Sequence, residues 1–313
     1  MHQFSIKRKN FGRIGVFLGG TSKERPISIK SGAAIYEALL KAGQKAVLID
    51  TANGFQSQLK DKSIDVAFLA LHGTGGEDGT IQSVLQRYGI PYTGSGPKAS
   101  KSAFNKELSK RILKRARIPT PDYAILTKTN WRRITGKWKI PYVVKPLEEG
   151  SSIGIFFVER KGAGGAKIRS GLNRYGRLMI ERKMAGREFT VGVLGRQALP
   201  VIELRPKRRF YDFKAKYTKG MTEYLAPAPI TDNLRKRLQR LALKTHRALG
   251  LSGFSRVDFK MDSENKPYVL EANSIPGFTE TSLLPKAARC VGMSFEHLCL
   301  YLLDQAFQSK RKP

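Results

Sequence analysis

The N-terminal part of the chain alternates short apolar runs with helix-forming segments, and this pattern restricts the fold more than any other. Apolar runs typical of buried strands lie at 13–18 (RIGVFL), 46–50 (AVLID) and 65–71 (DVAFLAL), and the segment SGAAIYEALLKAG separates the first two. Strands that alternate with helices form a parallel α/β sheet, whose ligand crevice lies beyond the carboxyl ends of the strands. The sequence therefore predicts a Rossmann-like parallel sheet with ligand-binding loops at one edge.

Two loops leave this predicted edge, and both carry charged side chains among glycines. The loops GGTSKERPIS and HGTGGEDGT contain Glu24, His72, Glu77 and Asp78. Each acid could simply stabilise a nearby helix N-terminus, and we expect Asp78 to cap the helix TIQSVLQRYG. For the first helix we expect Ser28 or Ser31 as the cap and Gly43 as the end. Helix capping alone does not explain why both strand ends carry charged loops, so these loops are candidates for a binding site.

The stretch 253–284 predicts a pair of strands with chemistry on one face. The runs GFSRVDFKMD and KPYVLEANS are joined by a Ser-Glu-Asn-Lys turn. Alternation along a strand puts Arg256 and Asp258 on one face, and Glu271 and Asn273 also share a face. Pairing of the strands brings Asp258, Glu271 and Asn273 together as oxygen ligands that suit Mg²⁺. A solvated surface hairpin is the alternative, but the Pro-Gly turn and Thr/Ser-rich loop that follow favour a site.

The middle of the chain predicts a second domain with a phosphate-binding loop. A helix is expected at 102–116, and the Pro119/Pro121 pair then marks a linker. Between predicted strands at 142–146 and 154–159 lies the loop LEEGSSI, whose N–H and hydroxyl groups could cover phosphate oxygens while Lys145 supplies positive charge. The GxxxxGK[ST] pattern of a P-loop is absent, and an ordinary hairpin turn is an equal alternative.

Three later segments add nucleotide, surface and lid predictions. Glu181 ends the predicted strand LMIE and could accept a hydrogen bond from an adenine amino group or a ribose hydroxyl. The Gly/Lys-rich segment 161–175 is expected to be exposed. The polar stretch 210–220 carries Tyr211 and Tyr217 and is typical of a lid that excludes water from a reactive intermediate.

The charge of the chain is strongly positive, with 57 Lys and Arg against 25 Asp and Glu and a net charge of +32. Such a surface attracts polyanions, including nucleic acid, anionic lipid and nucleotide phosphates. No nucleic-acid-binding signature accompanies the charge, so we predict no specific nucleic-acid partner, only nonspecific polyanion affinity. A helix predicted at 231–249 leaves three alternatives open, because its basic face could bind membrane, bind nucleic acid or be solvated; that face holds Arg235, Lys236, Arg240, Lys244 and Arg247.

The sequence gives no sign of export or of a membrane partner. No apolar run approaches the length that spans a bilayer, and the N-terminus has no long apolar segment followed by a cleavage site. The two cysteines, Cys290 and Cys299, form neither a disulfide framework nor a metal pattern. They indicate free thiols in a reducing cytoplasm.

The motifs described above resemble, in their order along the chain, those of the D-alanine–D-alanine ligases of the ATP-grasp superfamily. The agreeing stretches run from about Ile14 to Leu303 and are GGTSKERPIS, LHGTGGEDGTIQ, GIPYTGSG, VVKPLEEGSSIG, YDFKAKY and GFSRVDF…LEANSIPGFTETSLLP. The resemblance implies an α/β (α+β overall) ATP-grasp fold with an N-terminal substrate domain (1–104), a central ATP-grasp domain (105–190) and a C-terminal catalytic domain (191–313). It also implies ATP, two Mg²⁺ or Mn²⁺ ions, a homodimer, and a cytoplasmic role in peptidoglycan synthesis and cell-wall biogenesis.

Matching positions transfer the residue roles of that family to this sequence. The residues implied to bind ATP are Lys106, Lys145, Glu181, Glu188 and Lys216. Those implied to bind metal are Asp258, Glu271 and Asn273. The ammonium of the first D-alanine would pair with Glu24, close to His72. The residues implied to line the reaction centre and the second substrate site are Ser151, Lys216, Tyr217, Arg256, Gly277 and Ser282.

The implied reaction joins two D-alanines through a D-alanyl phosphate. ATP phosphorylates the first carboxylate while Lys145, Lys216 and Arg256 offset the negative charge, and the amine of the second D-alanine then attacks. Arg256 and the Gly277 N–H could bind the tetrahedral oxyanion. The Lys216-Tyr217 pair follows the dipeptide-forming relatives, since relatives that use D-lactate often carry histidine at the second position. Two alternatives stay open: another ATP-grasp carboxylate–amine ligase, such as a D-alanine–D-lactate ligase, and a basic nucleic-acid-binding protein without catalysis.

Overall fold

The computed structural model describes residues 4–8, 10–52, 54–56, 59, 63–207, 218 and 220–309. The strands of this described part are β1 (Arg13–Leu18), β2 (Lys45–Asp50), β3 (Val66–Leu69), β4 (Tyr123–Leu126), β5 (Tyr142–Pro146), β6 (Phe156–Val158), β7 (Leu178–Arg182), β8 (Glu188–Leu194), β9 (Gln197–Pro206), β10 (Thr222–Leu225), β11 (Phe254–Met261) and β12 (Pro267–Asn273). Its helices are α1 (Arg25–Lys41), α2 (Thr80–Arg87), α3 (Pro97–Phe104), α4 (Lys106–Arg115), α5 (Trp131–Lys137), α6 (Gly165–Tyr175), α7 (Asp232–Ala248), α8 (Leu283–Arg289) and α9 (Phe295–Ser309).

The N-terminal sheet is parallel, as the alternating pattern predicts. Its strand order is β2-β1-β3, and β1 runs parallel to both neighbours. The strand β1 is buried after its first residue because the apolar run RIGVFL packs between layers. One apolar core joins this sheet to the C-terminal helices, and Phe278 lies at its centre, 5.5 Å from the ring of Phe68 and 5.5 Å from that of Phe295. The two ends of the chain therefore share a core.

The other two sheets are antiparallel and follow each other along the chain. The four-stranded sheet has the order β4-β7-β5-β6, and the five-stranded sheet has the order β10-β9-β8-β11-β12. The predicted strand pair at 253–284 forms β11 and β12, with Arg256 opposite Asn273 and Asp258 opposite Glu271. A bulge between Asp258 and Phe259 shifts the register just beyond these pairs. The mixture of parallel and antiparallel sheets confirms the predicted fold class.

The expected cap of the first helix is wrong. The helix α1 begins at Arg25, with Pro in its first turn, so Ser28 and Ser31 lie inside it and are buried. The Ser28 hydroxyl accepts from the Gly19 N–H at 2.9 Å and donates to the Ala70 carbonyl at 2.8 Å. Ser28 therefore bonds to the residues that follow β1 and β3 and does not cap α1. At the other end, Gly43 follows the helix with φ 73, as expected.

The cap expected at Asp78 is also placed differently. Gly79, with φ 92, is the residue that precedes α2. The Asp78 carboxylate accepts from the N–H of Thr80 at 3.0 Å and from the N–H of Gly75 at 2.8 Å. Asp78 thus fastens the glycine-rich loop to the start of the helix from outside the cap position.

Two predicted segments differ from the structure in their extent or burial. The single helix expected at 102–116 is two helices, because the chain leaves helical geometry at Asn105 (ψ 109), whose side chain accepts from the Leu108 N–H at 3.0 Å. The segment 161–175, expected to be exposed, contains helix α6, which buries Ile168 and Leu172. The small number of apolar residues in this segment hid their helical spacing.

By contrast, the helix expected at 231–249 forms α7, with Thr231 as its N-cap. No helix in the described ranges is long and apolar enough to cross a membrane.

Candidate active site

A cavity of about 420 Å³ is lined by loops and strand ends from all three sheets. Its lining includes most of the residues that the sequence singles out as candidates. Those residues are Glu24, His72, Lys106, Ser151, Arg256, Glu271, Asn273, Gly277 and Ser282. Lys145, Glu181, Glu188 and Asp258 are not among the residues that line it. Lys216 and Tyr217, together with Tyr211 of the predicted lid, lie outside the described residues.

The carboxylate of Glu24 is held between two glycine-containing loops. Glu24 precedes α1 and is only 7% exposed. The Ser151 hydroxyl donates to its Oε1. A Cβ at Gly73 would lie 2.9 Å from Oε2, and one at Gly150 would lie closer still. Glycine at these two positions therefore lets both loops approach the carboxylate, which keeps a fixed place on the wall of the cavity.

His72 connects the loop after β3 to the loop after β12. Its Nδ1 lies 3.1 Å from the Ile275 carbonyl, which only accepts, so Nδ1 carries the hydrogen. Its Nε2 lies 3.1 Å from the Ser31 hydroxyl, which accepts from the Phe278 N–H at 3.2 Å and so donates its own hydrogen to the ring. Burial lowers the pKa of His72 to about 4, so the ring is neutral at pH 7. His72 therefore orders the cavity wall and adds no positive charge to it.

Glu77 is a cavity residue to which the sequence assigned no role. It is 8% exposed, and its Oε2 accepts from the Gly73 N–H at 3.0 Å. Burial, with a further contribution from the charge of Glu24, raises the pKa of Glu77 to about 8. A carboxyl group with this pKa is mostly protonated at neutral pH, so Glu77 adds little negative charge to the cavity. The Gly73 N–H helps to hold the Glu77 side chain in the cavity wall, and this contact is not evident from the loop sequence HGTGGEDGT.

Four donors surround the carboxylate of Asp258. Arg256 binds it through both ends of its guanidinium, with Nε 2.8 Å from Oδ1 and Nη2 2.7 Å from Oδ2. The Thr190 hydroxyl donates to Oδ1 at 2.6 Å, and the Asn273 amide donates to Oδ2 at 3.0 Å. The predicted metal ligands are thus neighbours on paired strands, and Arg256 stands among them.

The donor set fits a hard divalent cation. Two carboxylates and an amide oxygen are ligands that Mg²⁺ and Mn²⁺ accept, with water and phosphate oxygens completing the shell. Glu271 and Asn273 line the cavity, where phosphate could reach a bound ion. For Asp258 to ligate, Arg256 must release one of its oxygens, and the Asn273 amide must rotate to present oxygen. Among the described residues, no group of three or more His, Cys, Asp or Glu side chains is arranged as a ready metal site.

A second charged group lies buried between α4 and the four-stranded sheet. Glu181 is 2% exposed and lies between Lys145, whose Nζ is 2.5 Å from Oε2, and Lys110, whose Nζ contacts Oε1. Lys110 also lies 2.5 Å from the Thr120 hydroxyl and 3.5 Å from the Val269 carbonyl. We call Lys110, Glu181 and Lys145 the lysine–glutamate cluster. With two lysines and one glutamate, the cluster keeps one formal positive charge inside the protein, and a contact of Glu181 with adenine stays a prediction.

Burial and charge act in opposite directions within this cluster. Burial lowers the pKa of Lys110 to about 8, although Glu181 opposes the shift. Burial by itself would raise the pKa of Glu181, but the two lysines outweigh it and lower that pKa. Sequence reasoning missed Lys110, although a signal existed: it follows Lys106 by one helical turn and so lies on the same face of α4.

The remaining predicted residues lie at the edges of these two groups. The Lys106 ammonium donates to the Glu149 carbonyl at 2.6 Å, which places it beside the Gly/Ser loop. Glu188 accepts from Lys260 at 2.9 Å on the neighbouring strand. The Ser282 hydroxyl accepts from the Thr279 N–H at 3.0 Å just before α8. The candidate residues therefore form a polar cavity with the lysine–glutamate cluster as a separate buried group.

Comparison with known proteins shows similarity to D-alanine–D-alanine ligases over nearly the whole chain. Residues 112–304 match the family model "D-ala D-ala ligase C-terminus", and residues 50–95 match "D-ala D-ala ligase N-terminus". The chain is 42% identical over 295 residues to a D-alanine–D-alanine ligase of Geotalea uraniireducens, with 94% of this chain and 95% of that protein covered. It is 44% identical over 311 residues to one of Carboxydothermus hydrogenoformans, with 96% and 100% covered.

A solved structure is similar as well. The D-alanine–D-alanine ligase of Bacillus anthracis in complex with ATP superimposes with a TM-score of 0.83 at 32% identity, covering 96% of this chain and 98% of that one. The agreement extends through both family models and all three sheets. The chain belongs to the D-alanine–D-alanine ligase family.

Proposed function

We propose that this protein joins two D-alanines into D-alanyl-D-alanine at the expense of ATP, through a D-alanyl phosphate, for peptidoglycan precursors. The observation that carries the proposal is that Glu24 and Arg256 line the same small cavity. A fixed carboxylate suits the ammonium of an amino acid, and a guanidinium suits the oxygens of its carboxylate. Membership of the ligase family supports the reaction type.

The first substrate would bind through charge complementarity. Glu24, oriented by Ser151, receives the ammonium of the first D-alanine. Glu77, whose pKa is raised to about 8, adds little negative charge beside Glu24. Neutral His72 adds no repulsion. Arg256 holds the substrate carboxylate, so that its oxygen is oriented for phosphorylation.

The nucleotide would lie between the Gly/Ser loop and the β11–β12 strand pair. Bound Mg²⁺ or Mn²⁺, held by Asp258, Glu271 and Asn273, would neutralise phosphate charge and so make transfer to a carboxylate possible. Lys106 and Lys145 contribute positive charge for the phosphates, while Glu181 and Glu188 are proposed to reach the adenosine. We also propose that two metal ions bind at each site.

The second half of the reaction depends on positioning and on the exclusion of water. We assign the oxyanion of the tetrahedral intermediate to Arg256 and the Gly277 N–H, and we place Ser282 at the second D-alanine. Lys216 and Tyr217 are proposed to close over the site, Lys216 toward the phosphate and Tyr217 toward Glu24 and Ser151. A closed lid protects the acyl phosphate from hydrolysis.

The division into domains, the cellular location and the oligomeric state are proposed from the same family membership. We propose three domains at 1–104, 105–190 and 191–313; the three sheets support this division, although β8 begins at Glu188, just before the third range. We further propose a cytoplasmic homodimer that has ATP and D-alanine as its substrates and no membrane partner. Light scattering of the purified protein tests the dimer.

A phosphate-release assay tests the reaction. The protein is incubated with ATP, Mg²⁺ and single D- or L-amino acids, and the product is identified by mass spectrometry. We expect phosphate release that depends on D-alanine, with D-alanyl-D-alanine as the product. Release driven by a different amino acid would identify another carboxylate–amine ligase, and no release with any amino acid would contradict a ligase function.

A competition experiment tests the D-lactate alternative. With equimolar D-alanine and D-lactate at pH 7, we expect the dipeptide as the main product, because Tyr217 adds no cation that would repel the second ammonium. A predominance of D-alanyl-D-lactate would show that the residue at 217 does not decide which nucleophile is used.

A further inference from the structure

The helix α7 carries a row of basic side chains on its exposed face. Five of them are exposed, and none forms a salt bridge within the described ranges of the chain. They are Lys236, Arg237, Arg240, Lys244 and Arg247. The acid of this helix, Asp232, pairs instead with Arg235 at 2.9 Å. We call the five residues the α7 basic stripe.

The helical geometry makes the stripe narrow and straight. At about 100° per residue, its five members fall within an arc of about 100°, and they extend over about 16 Å of helix axis. Three of them, Lys236, Arg240 and Lys244, repeat every fourth residue and so follow each other at steps of about 6 Å. The stripe borders a groove of about 460 Å³ between α7 and the start of β9, with Ala198 and Leu243 in its lining. A linear ligand could therefore lie along the stripe and contact the groove.

The shape and charge of the stripe match a linear polyanion. Each strand of a nucleic-acid duplex carries one phosphate per about 3.4 Å of the duplex axis and winds around that axis, so a straight row of about 16 Å faces some of about five phosphates. The stripe therefore offers a cation to each phosphate that it faces. The net charge of +32 on the chain adds long-range attraction for the same partner.

The apolar residues of α7 argue against a lipid surface. Leu238 and Ala242 are buried, and Leu234, Leu241 and Leu243 pack against the core that lies under the helix. A helix that binds in a bilayer interface inserts an apolar face, and α7 has used its apolar face inside the protein. The exposed face of α7 therefore consists mainly of charged side chains.

We propose that the α7 basic stripe is a docking surface for the phosphodiester backbone of nucleic acid, without sequence preference. This inference is independent of the ligase reaction, because no stripe residue lines the cavity that contains Glu24 and Arg256. It is also consistent with the absence of a sequence-reading motif, since phosphate contacts position a protein on nucleic acid but do not select bases.

Fluorescence anisotropy with a labelled mixed-sequence DNA duplex tests the proposal. The test variant is Lys236→Gln/Arg240→Gln/Lys244→Gln. The matched control is Arg133→Gln/Lys137→Gln/Lys139→Gln, which removes two lysines and one arginine, all exposed, around α5. The readouts are the dissociation constant and its salt dependence, with D-alanine-dependent phosphate release as a check that each variant is folded.

We expect the test variant to lose at least about tenfold in affinity near 0.1 M salt and to lower the slope of log K against log salt by about 3, and the control to lose less than about threefold. Equal losses in both variants would show attraction by the overall charge and overturn the proposal. So would unchanged binding in the test variant, or wild-type binding to phosphatidylserine vesicles that is tighter than to the duplex and is lost in the test variant.

Discussion

The cavity and the lysine–glutamate cluster use similar residues in opposite ways. In the cavity, Glu24 and Arg256 are presented by loops and a strand to a space that a ligand can enter. In the cluster, Glu181 is enclosed between Lys110 and Lys145 with almost no exposure. The comparison teaches that a charge can be kept inside the protein in two ways: Glu24 and Arg256 face a space that a ligand can enter, whereas Glu181 is enclosed by the two lysines that bind it.

The largest effect that we expect comes from breaking the cluster. Lys110→Met removes one of the two lysines that bind Glu181 while Lys145 still offsets its charge, and loss of a buried hydrogen bond to a charged group typically costs about 1.5–3 kcal/mol of folding free energy. Urea unfolding followed by tryptophan fluorescence measures this loss. The control Lys101→Met changes an exposed lysine on α3 and should alter the free energy of unfolding by less than about 0.5 kcal/mol. Equal stability of the two variants would mean that Lys110 does not hold the cluster together.

The second prediction concerns Glu271, a proposed metal ligand that lines the cavity. Glu271→Gln keeps the shape of the side chain but removes its charge, and we expect turnover to fall at least about a hundredfold, the size of effect produced by loss of a key electrostatic group. Steady-state phosphate release at saturating ATP and Mg²⁺ gives the rate. Glu264→Gln, at the turn of the same strand pair, is the control and should keep normal turnover. Near-normal activity of Glu271→Gln at low Mg²⁺ would remove Glu271 from the proposed metal site.

A third prediction concerns how two buried histidines, one in the cavity and one in α7, make the stability of the fold depend on pH. Burial lowers the pKa of both His72, in the cavity, and His246, in α7, to about 4. The unfolded state takes up these protons near pH 6.5 and the folded state only near pH 4, so each histidine costs stability as pH falls through this window, about 2 kcal/mol at pH 5. The two histidines therefore lower the free energy of unfolding between pH 7 and pH 5, and Glu77, whose pKa is raised to about 8, opposes them with a smaller increase.

Variants assign this loss to particular residues. His246→Asn should show a pH 7 to pH 5 decrease that is smaller by about 2 kcal/mol than that of the wild type. His297→Asn, which changes the exposed histidine of α9, should keep the full decrease. If both variants keep it, His246 does not titrate as its burial requires.

The smallest effect that we predict is on the first substrate. Glu24→Ala removes the proposed partner of the D-alanine ammonium, and loss of one charge-assisted contact should raise the apparent KM for the first D-alanine about tenfold. The KM for ATP should change less than about twofold. Initial-rate measurements over both substrates separate these constants, and a collapse of ATP affinity would place Glu24 in the nucleotide site instead.

The sequence predicted well those features that depend on local patterns. The apolar run RIGVFL predicted a buried strand, the succession of strands and helices predicted a parallel sheet, and alternation within the 253–284 stretch correctly predicted that Asp258 and Glu271 would be neighbours. Features that depend on loop geometry or on packing between distant segments were less accessible. The inward turn of Glu77 depends on Gly73, and the burial of Lys110 depends on β7 and β12, which are far from it along the chain. The cap at Ser28 failed because a hydroxyl can bond to strand ends as well as to a helix end.

The contacts of Lys110 have a mechanical consequence. Lys110 of α4 lies 3.5 Å from the Val269 carbonyl of β12. The segment after the helix is bonded to the same residue, because the Thr120 hydroxyl donates to the Val269 carbonyl at 2.9 Å and the Val269 N–H donates to the Pro119 carbonyl at 2.8 Å. Lys110 also contacts Glu181 of the four-stranded sheet. The four-stranded sheet is therefore tied to β12 through α4. Lys106 of the same helix donates to the Glu149 carbonyl at 2.6 Å, so a displacement of this sheet that keeps these contacts would carry α4 and the loop 147–153 with it.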